Sequence, residues 1–189
     1  KAKLVDVARQ LFAKMGVENT TMNDIALASK KGRRTLYTYF KSKEDIYMAV
    51  VESELDMLSD MMKRVAEKNI SPDEKMIEMI YTRLDAVKEV VFRNGTLRAN
   101  FFRDIWRVEK IRKNFDIRET ELIQGILEAG VKEGIFAMPD TEITAVVLHH
   151  ALKGLEVPYI RGIMGDNISQ RIKRRDNVMN LIFNGIKIK

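Results

Sequence analysis

The sequence predicts an all-α protein of about nine helices, and three observations carry that expectation. Apolar residues recur at i, i+3, i+4 and i+7 through most of the chain, the stripe of an amphipathic helix. Strand-type alternation is nowhere sustained over six residues. Ten glycines and three prolines in 189 residues are too few for a disordered or collagen-like chain.

The first helix carries Leu4, Val7, Ala8, Leu11, Phe12 and Met15 on one stripe and stops at Gly16. Thr20-Thr21, with Asp24 three residues after Thr21, forms an imperfect capping box for a second helix of about two turns. Met22, Ile25, Ala26 and Ser29 share its inner side, and Lys30-Lys31-Gly32 interrupts the pattern. Arg33 to Phe40 is a third short helix that buries Leu36 and Phe40; Ser42 caps a fourth running to Lys68. Ser71-Pro72 supplies the cap and first-turn proline of a fifth helix, which ends at Arg93 before Asn94-Gly95. A shorter apolar-aromatic helix is expected from Thr96 to Val108, and another from Asn114 to Lys132, closed by Gly134. Met138-Pro139-Asp140 caps the next, with Ile143, Val146, Val147, His150 and Leu155. Gly165 separates it from a last helix carrying Ile168, Ile172, Met179, Ile182, Phe183 and Ile186. The chain divides into a basic three-helix bundle, residues 1–45, and a helical body, residues 46–189, linked through the long fourth helix.

With 46% apolar and 32% charged residues, the chain has the material for a core of one to two domains without disulfides or a structural metal. It contains no cysteine, which excludes thiol catalysis, thiolate metal sites and a disulfide framework, and favours a reducing cytoplasm. No run approaches the roughly 18 apolar residues of a membrane span, and no apolar signal core follows Lys1-Ala2-Lys3. A few native residues are expected to precede Lys1. Residues 1–50 hold ten Lys or Arg against five Asp or Glu, which places +5 of the chain's net +6 at one end. That asymmetry points to a polyanion, with nucleic acid ahead of an acidic membrane surface.

Two short helices joined by a tight turn behind a longer one outline a helix-turn-helix unit. The third helix adds the chemistry. Leu36 and Phe40 face inward, while Arg33, Arg34, Thr35, Thr38 and Tyr39 fall on the other side or at the N-terminal end, where they can reach phosphates and base edges.

The spaced set Leu11-Phe12, Gly16, Thr20-Thr21-Met22, Ile25-Ala26 and Thr35-Leu36-Tyr37-Thr38-Tyr39-Phe40-Lys41-Ser42-Lys43-Glu44-Asp45 resembles the N-terminal domain of the TetR family of transcriptional regulators, over about residues 4–50. Residues 51–189 resemble that family only in general style, with Gly154-Leu155 in the penultimate helix. The resemblance implies an Ω-shaped homodimer that binds a pseudopalindromic operator in double-stranded DNA. It also implies that residues 46–189 dimerise and take up a small-molecule effector that releases the DNA, most simply as a repressor. By the same resemblance Thr20 and Thr21 donate to a phosphate, and Lys43 and Tyr39 match phosphate contacts. Thr35, Tyr37 and Thr38 enter the major groove, although Tyr37 has an equal claim to the core. Arg33 or Arg34 supplies a bidentate guanine contact worth about 1–3 kcal/mol of discrimination. The turn departs from the family's usual Ala-Gly-Val-Ser-x-Gly: here it reads Ser29-Lys30-Lys31-Gly32-Arg33-Arg34, so Lys30 must accept a left-handed backbone. In exchange, Lys30, Lys31, Arg33 and Arg34 crowd positive charge around Gly32, where the third helix's dipole already favours phosphate.

Elsewhere the signals are weaker. Met61, Met79, Phe92, Phe101, Phe102, Trp106, Phe115 and Leu127 are candidate walls of a pocket for a mainly apolar or aromatic effector, and equally the makings of an ordinary core. No buried acidic cluster is evident, with Asp85, Asp104 and Glu128 the candidate orienting groups. Ile143, Val147, His150 and Gly154 on one helix, and Ile172, Met179, Ile182 and Ile186 on the last, offer apolar stripes for a four-helix dimer interface. His149 and His150 point about 100° apart on a helix and cannot form an i, i+4 metal pair, so core or interface histidines are expected. No cofactor, metal or catalytic constellation is expected, hence no enzyme. The competing reading is a helical adaptor whose basic end binds an acidic membrane; the apolar stripe of the first helix is wanted by the three-helix core instead.

Overall fold

The computed structural model describes residues 1–93, 105–162, 180 and 184, with the side chains of 91–93 and 105–110 outside that description. Among the described residues it holds seven α-helices and no strand: α1 Ala2–Met15, α2 Met22–Ala28, α3 Arg33–Tyr39, α4 Lys43–Ala66, α5 Pro72–Arg93, α6 Ile105–Lys132 and α7 Thr141–Ile160. No helix among them is long and apolar enough to cross a membrane. Most of the helix expected over Thr96–Val108, and nearly all of the last one, lie outside the described residues.

One boundary is corrected. The break expected before Asn114 does not exist, because α6 runs unbroken through it. From residue 111 onward its buried positions are Arg112, Phe115, Glu119, Ile123, Ile126, Leu127 and Gly130, a continuous helical stripe in which two members are charged. A charged side chain reads locally as a solvated face, and so the stripe looked interrupted.

The chain forms two compact units, Lys1–Met57 with Glu89–Phe115, and Leu58–Lys88 with Asp116–Lys189. In the first, Leu4, Val5, Ala8 and Phe12 of α1, Ile25 and Ala26 of α2, Leu36 and Phe40 around α3, and Ile46, Tyr47 and Val50 of α4 form one core. Phe12 meets Tyr47 edge-on with ring centroids 6.3 Å apart. Arg9 ties α1 to α4, with Nε 2.8 Å from the buried Glu54 and Nη2 donating to Ser53 Oγ. The stripe of α1 is therefore committed to this core.

In the second unit, Met62 and Val65 of α4, Met76, Met79, Ile80 and Leu84 of α5, Ile123, Ile126 and Leu127 of α6, and Ala145 and Leu152 of α7 are buried. The end of α6 follows a helix-stop geometry. Gly134, at φ +71°, donates to Val131 O, and Ile135 N reaches Gly130 O at 2.8 Å. Asp140 caps α7, its carboxylate accepting from Ile143 N at 2.9 Å.

Candidate nucleic-acid interface

The second helix of the motif is set by its cap. Thr21 Oγ1 accepts from Asp24 N at 3.2 Å, and Asp24 Oδ2 accepts from Thr21 N at 2.8 Å, so the capping box is complete. The Thr21 hydroxyl also donates to Asp24, and these two Thr21 bonds, side chain first, hold the Asp24 carboxyl below its ordinary value of 3.8. Thr21 remains exposed at the helix start.

Thr20 is a correction. Expected to donate to a phosphate, it is fully buried, and its hydroxyl donates to Gly16 O at 2.7 Å. The end of α1 leaves carbonyls without intrahelical donors, and Thr20 satisfies one of them. Lys43, half-buried, has a role that sequence spacing did not show: its Nζ donates to Val17 O at 2.7 Å and Glu18 O at 3.2 Å. Two of its three donors thus fasten the loop between α1 and α2.

The turn between α2 and α3 takes the strained form expected of it. Lys30 lies at φ +55°, the one non-glycine residue in the left-handed region among the described residues. Lys30 N donates to Leu27 O and Lys31 N to Ala26 O, both at 3.0 Å, the bond pair that terminates α6 at Gly134. The motif here is closed by lysine rather than glycine.

Gly32 then caps α3 in extended backbone. Within α3 only Leu36 is buried, followed inward by Phe40. Arg33, Arg34, Thr35, Tyr37, Thr38 and Tyr39 are all exposed, which places Tyr37 on the surface rather than in the core. The Arg33 guanidinium lies 6.0 Å from the Tyr37 ring centroid, an i, i+4 pair that orients both groups. The surface of α3, with Lys31 beside it, is thus a row of cationic, hydroxyl and phenolic donors on a helix short enough to enter a major groove.

The other expected sites are less assembled. Met79 and Leu127 are fully buried, Phe115 nearly so, and Met61 is exposed; Phe101 and Phe102, and the side chains of Phe92 and Trp106, lie outside the description. An open groove of about 570 Å³ is lined instead by Ile70, Glu74, Ile77, Glu78, Tyr81, Thr82 and Asp85. Of the orienting groups, Asp85 accepts from Tyr159 OH, Glu128 accepts from Gln124, and Asp104 is outside the described residues. Ile143, Val147, His150 and Gly154 all lie on the exposed face of α7, with Ile143 at 62% and Val147 at 60% exposure. Ile172, Met179, Ile182 and Ile186 lie outside the described residues.

The second unit holds a buried ionic cluster that the sequence reading did not single out. Arg83 of α5, with no exposed surface, pairs through Nε with Glu119 of α6 and through Nη2 with Glu156 of α7 at 2.8 Å. His149 Nδ1 lies 2.8 Å from the second Glu119 oxygen. The available signal was charge in register with the apolar stripe of α6.

Unit 1 therefore defines the protein as one with a helix-turn-helix DNA-binding domain. Residues 4–50 match the family model of the bacterial regulatory proteins, tetR family. Over 189 residues the chain is 23% identical to the HTH-type transcriptional regulator QacR of Staphylococcus aureus, covering 98% of this chain and 97% of that one. Over 149 residues it is 27% identical to the HTH-type transcriptional repressor KstR2 of Mycolicibacterium smegmatis, covering 76% and 70% of the two chains. Among solved structures, a transcriptional regulator from Cytophaga hutchinsonii shares the fold with a TM-score of 0.78, at 24% identity over 98% of this chain and 97% of that one. A TetR/AcrR-family regulator from Thermobifida fusca gives 0.71 at 26% identity, over 97% and 96%. Residues 4–50 thus match the DNA-binding part of the tetR family of bacterial regulatory proteins, and the chain is a DNA-binding transcriptional regulator.

Proposed function

We propose that the protein is a homodimeric repressor that grips a pseudopalindromic operator through α3 and lets go when a small, mainly apolar or aromatic effector occupies the helical body. The carrying observation is the surface of α3, where six of the seven residues, Arg33, Arg34, Thr35, Tyr37, Thr38 and Tyr39, are exposed and none is acidic. A solvated helix face with no partner would more often carry Glu and Lys. In this reading Lys31, Gly32 and Thr21 meet phosphates, Arg33 or Arg34 reads a guanine, and residues 1–45 act as the DNA-binding domain. The name of KstR2, a repressor, supports the sign of regulation.

Dimerisation is supported by α7, which exposes Ile143, Val146 and Val147 on one face. A second copy packed there in an isologous interface would set the two recognition helices one or more DNA turns apart, each turn ~34–36 Å. Val147→Lys should then leave monomers in sedimentation. We place the regulator in the cytoplasm and assign it no catalytic chemistry.

Fragments of genomic DNA selected by the purified protein should include its own upstream region. Binding should weaken steeply with salt, with each phosphate contact contributing about −0.9 to the log–log slope. Binding that is absent, or insensitive to salt, overturns the reading.

A further inference from the structure

The exposed surface of α3 is not uniform, and Leu36 gives it an origin. Leu36 is the one buried residue within α3, so its direction marks the core. Successive residues of an α-helix turn by about 100°, which places Arg34 and Thr38 each about 160° from Leu36. Thr35 and Tyr37 lie about 100° from it, and Arg33 and Tyr39 only about 60°. Arg34 and Thr38 therefore point most directly away from the core, while Arg33 and Tyr39 stand on the flanks.

The contacts separate the two arginines in the same way. On the flank, the Arg33 guanidinium lies 6.0 Å from the Tyr37 ring centroid, a stack that holds it to the side of the helix. The Arg34 guanidinium is exposed and has no partner among the described residues, so its five N–H donors stay available. Thr38, one turn on, donates its hydroxyl to Arg34 O at 3.0 Å. That bond uses the only proton Thr38 has, and its methyl group is left for a base edge.

A helix lying in a major groove meets base edges with the face opposite its own core, and the phosphate walls with its flanks. We propose that α3 divides its work accordingly: Arg34 reads a guanine and Thr38 packs its methyl on a thymine of the same half-site, while Arg33, stacked on Tyr37, grips the backbone. The division rests on α3 being the DNA-reading helix proposed above. Guanine O6 and N7 accept the two parallel bonds of a guanidinium fork, and the thymine C5-methyl is the apolar mark of the major groove. Adjacent arginines are equivalent in the local sequence. The burial of Leu36 and the stack of Arg33 on Tyr37 distinguish them.

The test selects duplexes from a random-sequence pool with the full chain. Gel shifts then measure affinity for the selected half-site and its single-base variants over a range of salt. Arg34→Ala should reduce the preference for one guanine roughly 5–150-fold and leave the salt slope unchanged. Arg33→Ala should weaken binding to the selected site and its variants alike, with a slope shallower by about 0.9. Thr38→Ser keeps the hydroxyl bond to Arg34 O and loses the methyl, which should lower the preference for a thymine about fourfold. All three side chains are exposed, so none of these variants disturbs the core. An Arg34→Ala protein that keeps the guanine preference, or an Arg33→Ala protein that relaxes one, overturns the proposal and leaves the DNA-binding reading standing. An undiminished thymine preference in Thr38→Ser does the same. A wild-type protein that selects no sequence overturns both.

Discussion

Replacing Lys30 by glycine separates two contributions that one residue makes at the turn between α2 and α3. Its φ of +55° puts a Cβ where an L residue is disfavoured by roughly 1–2 kcal/mol. Glycine removes that cost but gains about 0.5–1 kcal/mol of unfolded-chain freedom, which offsets part of the benefit. The net expectation is about 0.5–1 kcal/mol of added stability, or roughly 1–4 °C in melting temperature for a chain of this size. The chain contains its own control: the same backbone geometry at the end of α6 is occupied by Gly134, at φ +71°. Lys30→Ala completes the comparison, since alanine loses the charge and keeps the Cβ. Thermal melts followed at 222 nm should rank Lys30→Gly above both the wild type and Lys30→Ala. In gel shifts, the two variants should lose operator affinity equally and show equally shallower salt dependence. A Lys30→Gly protein that melts at or below Lys30→Ala refutes the strain argument. Unequal DNA binding by the two variants refutes the charge argument.

Other expectations test the packing. Arg83→Ala leaves Glu119 and Glu156 buried without their shared cation and should cost about 3–5 kcal/mol in urea denaturation. Gly130→Ala would place a Cβ 2.1 Å from Phe136 Cδ2 and should destabilise by roughly 1–3 kcal/mol. Gly125→Ala on the same helix meets nothing within 4 Å and should instead stabilise by about 0.5–1 kcal/mol. Because Thr21 lowers the Asp24 carboxyl, its ionised form stabilises the fold above the unfolded value, and that contribution is lost as pH falls through the lowered one. Stability measured from pH 6 downward should therefore fall more steeply below about pH 4 in the wild type than in Asp24→Asn; parallel curves would contradict this.

The legibility of the two units differs for a physical reason. Unit 1 could be read almost residue by residue. The capping box at Thr21 and Asp24, the inward pair Leu36 and Phe40, and the strained Lys30 are properties of neighbours within about one helical turn. Even there, the adjacent threonines separated only in three dimensions, where Thr20 turned to the carbonyl of Gly16 and Thr21 to Asp24. Lys43 was assigned to a phosphate by its place in a motif. Its bonds to Val17 and Glu18 cross 26 and 25 residues, and no local pattern contains them.

By itself, the sequence determined that the chain is helical, where most helices begin and end, and that a basic end presents a recognition helix. Caps, periodicity and charge segregation act over short distances along the chain, so they are written in it directly. Tertiary structure alone decided that α6 continues through Asn114, and that Arg83, Glu119, Glu156 and His149 form a buried cluster. Arg83 and Glu119 are 36 residues apart, and Glu119 and His149 are 30 apart. An isolated charge is far costlier to bury than a paired one, so whether each of these residues lies inside depends on partners delivered by other helices.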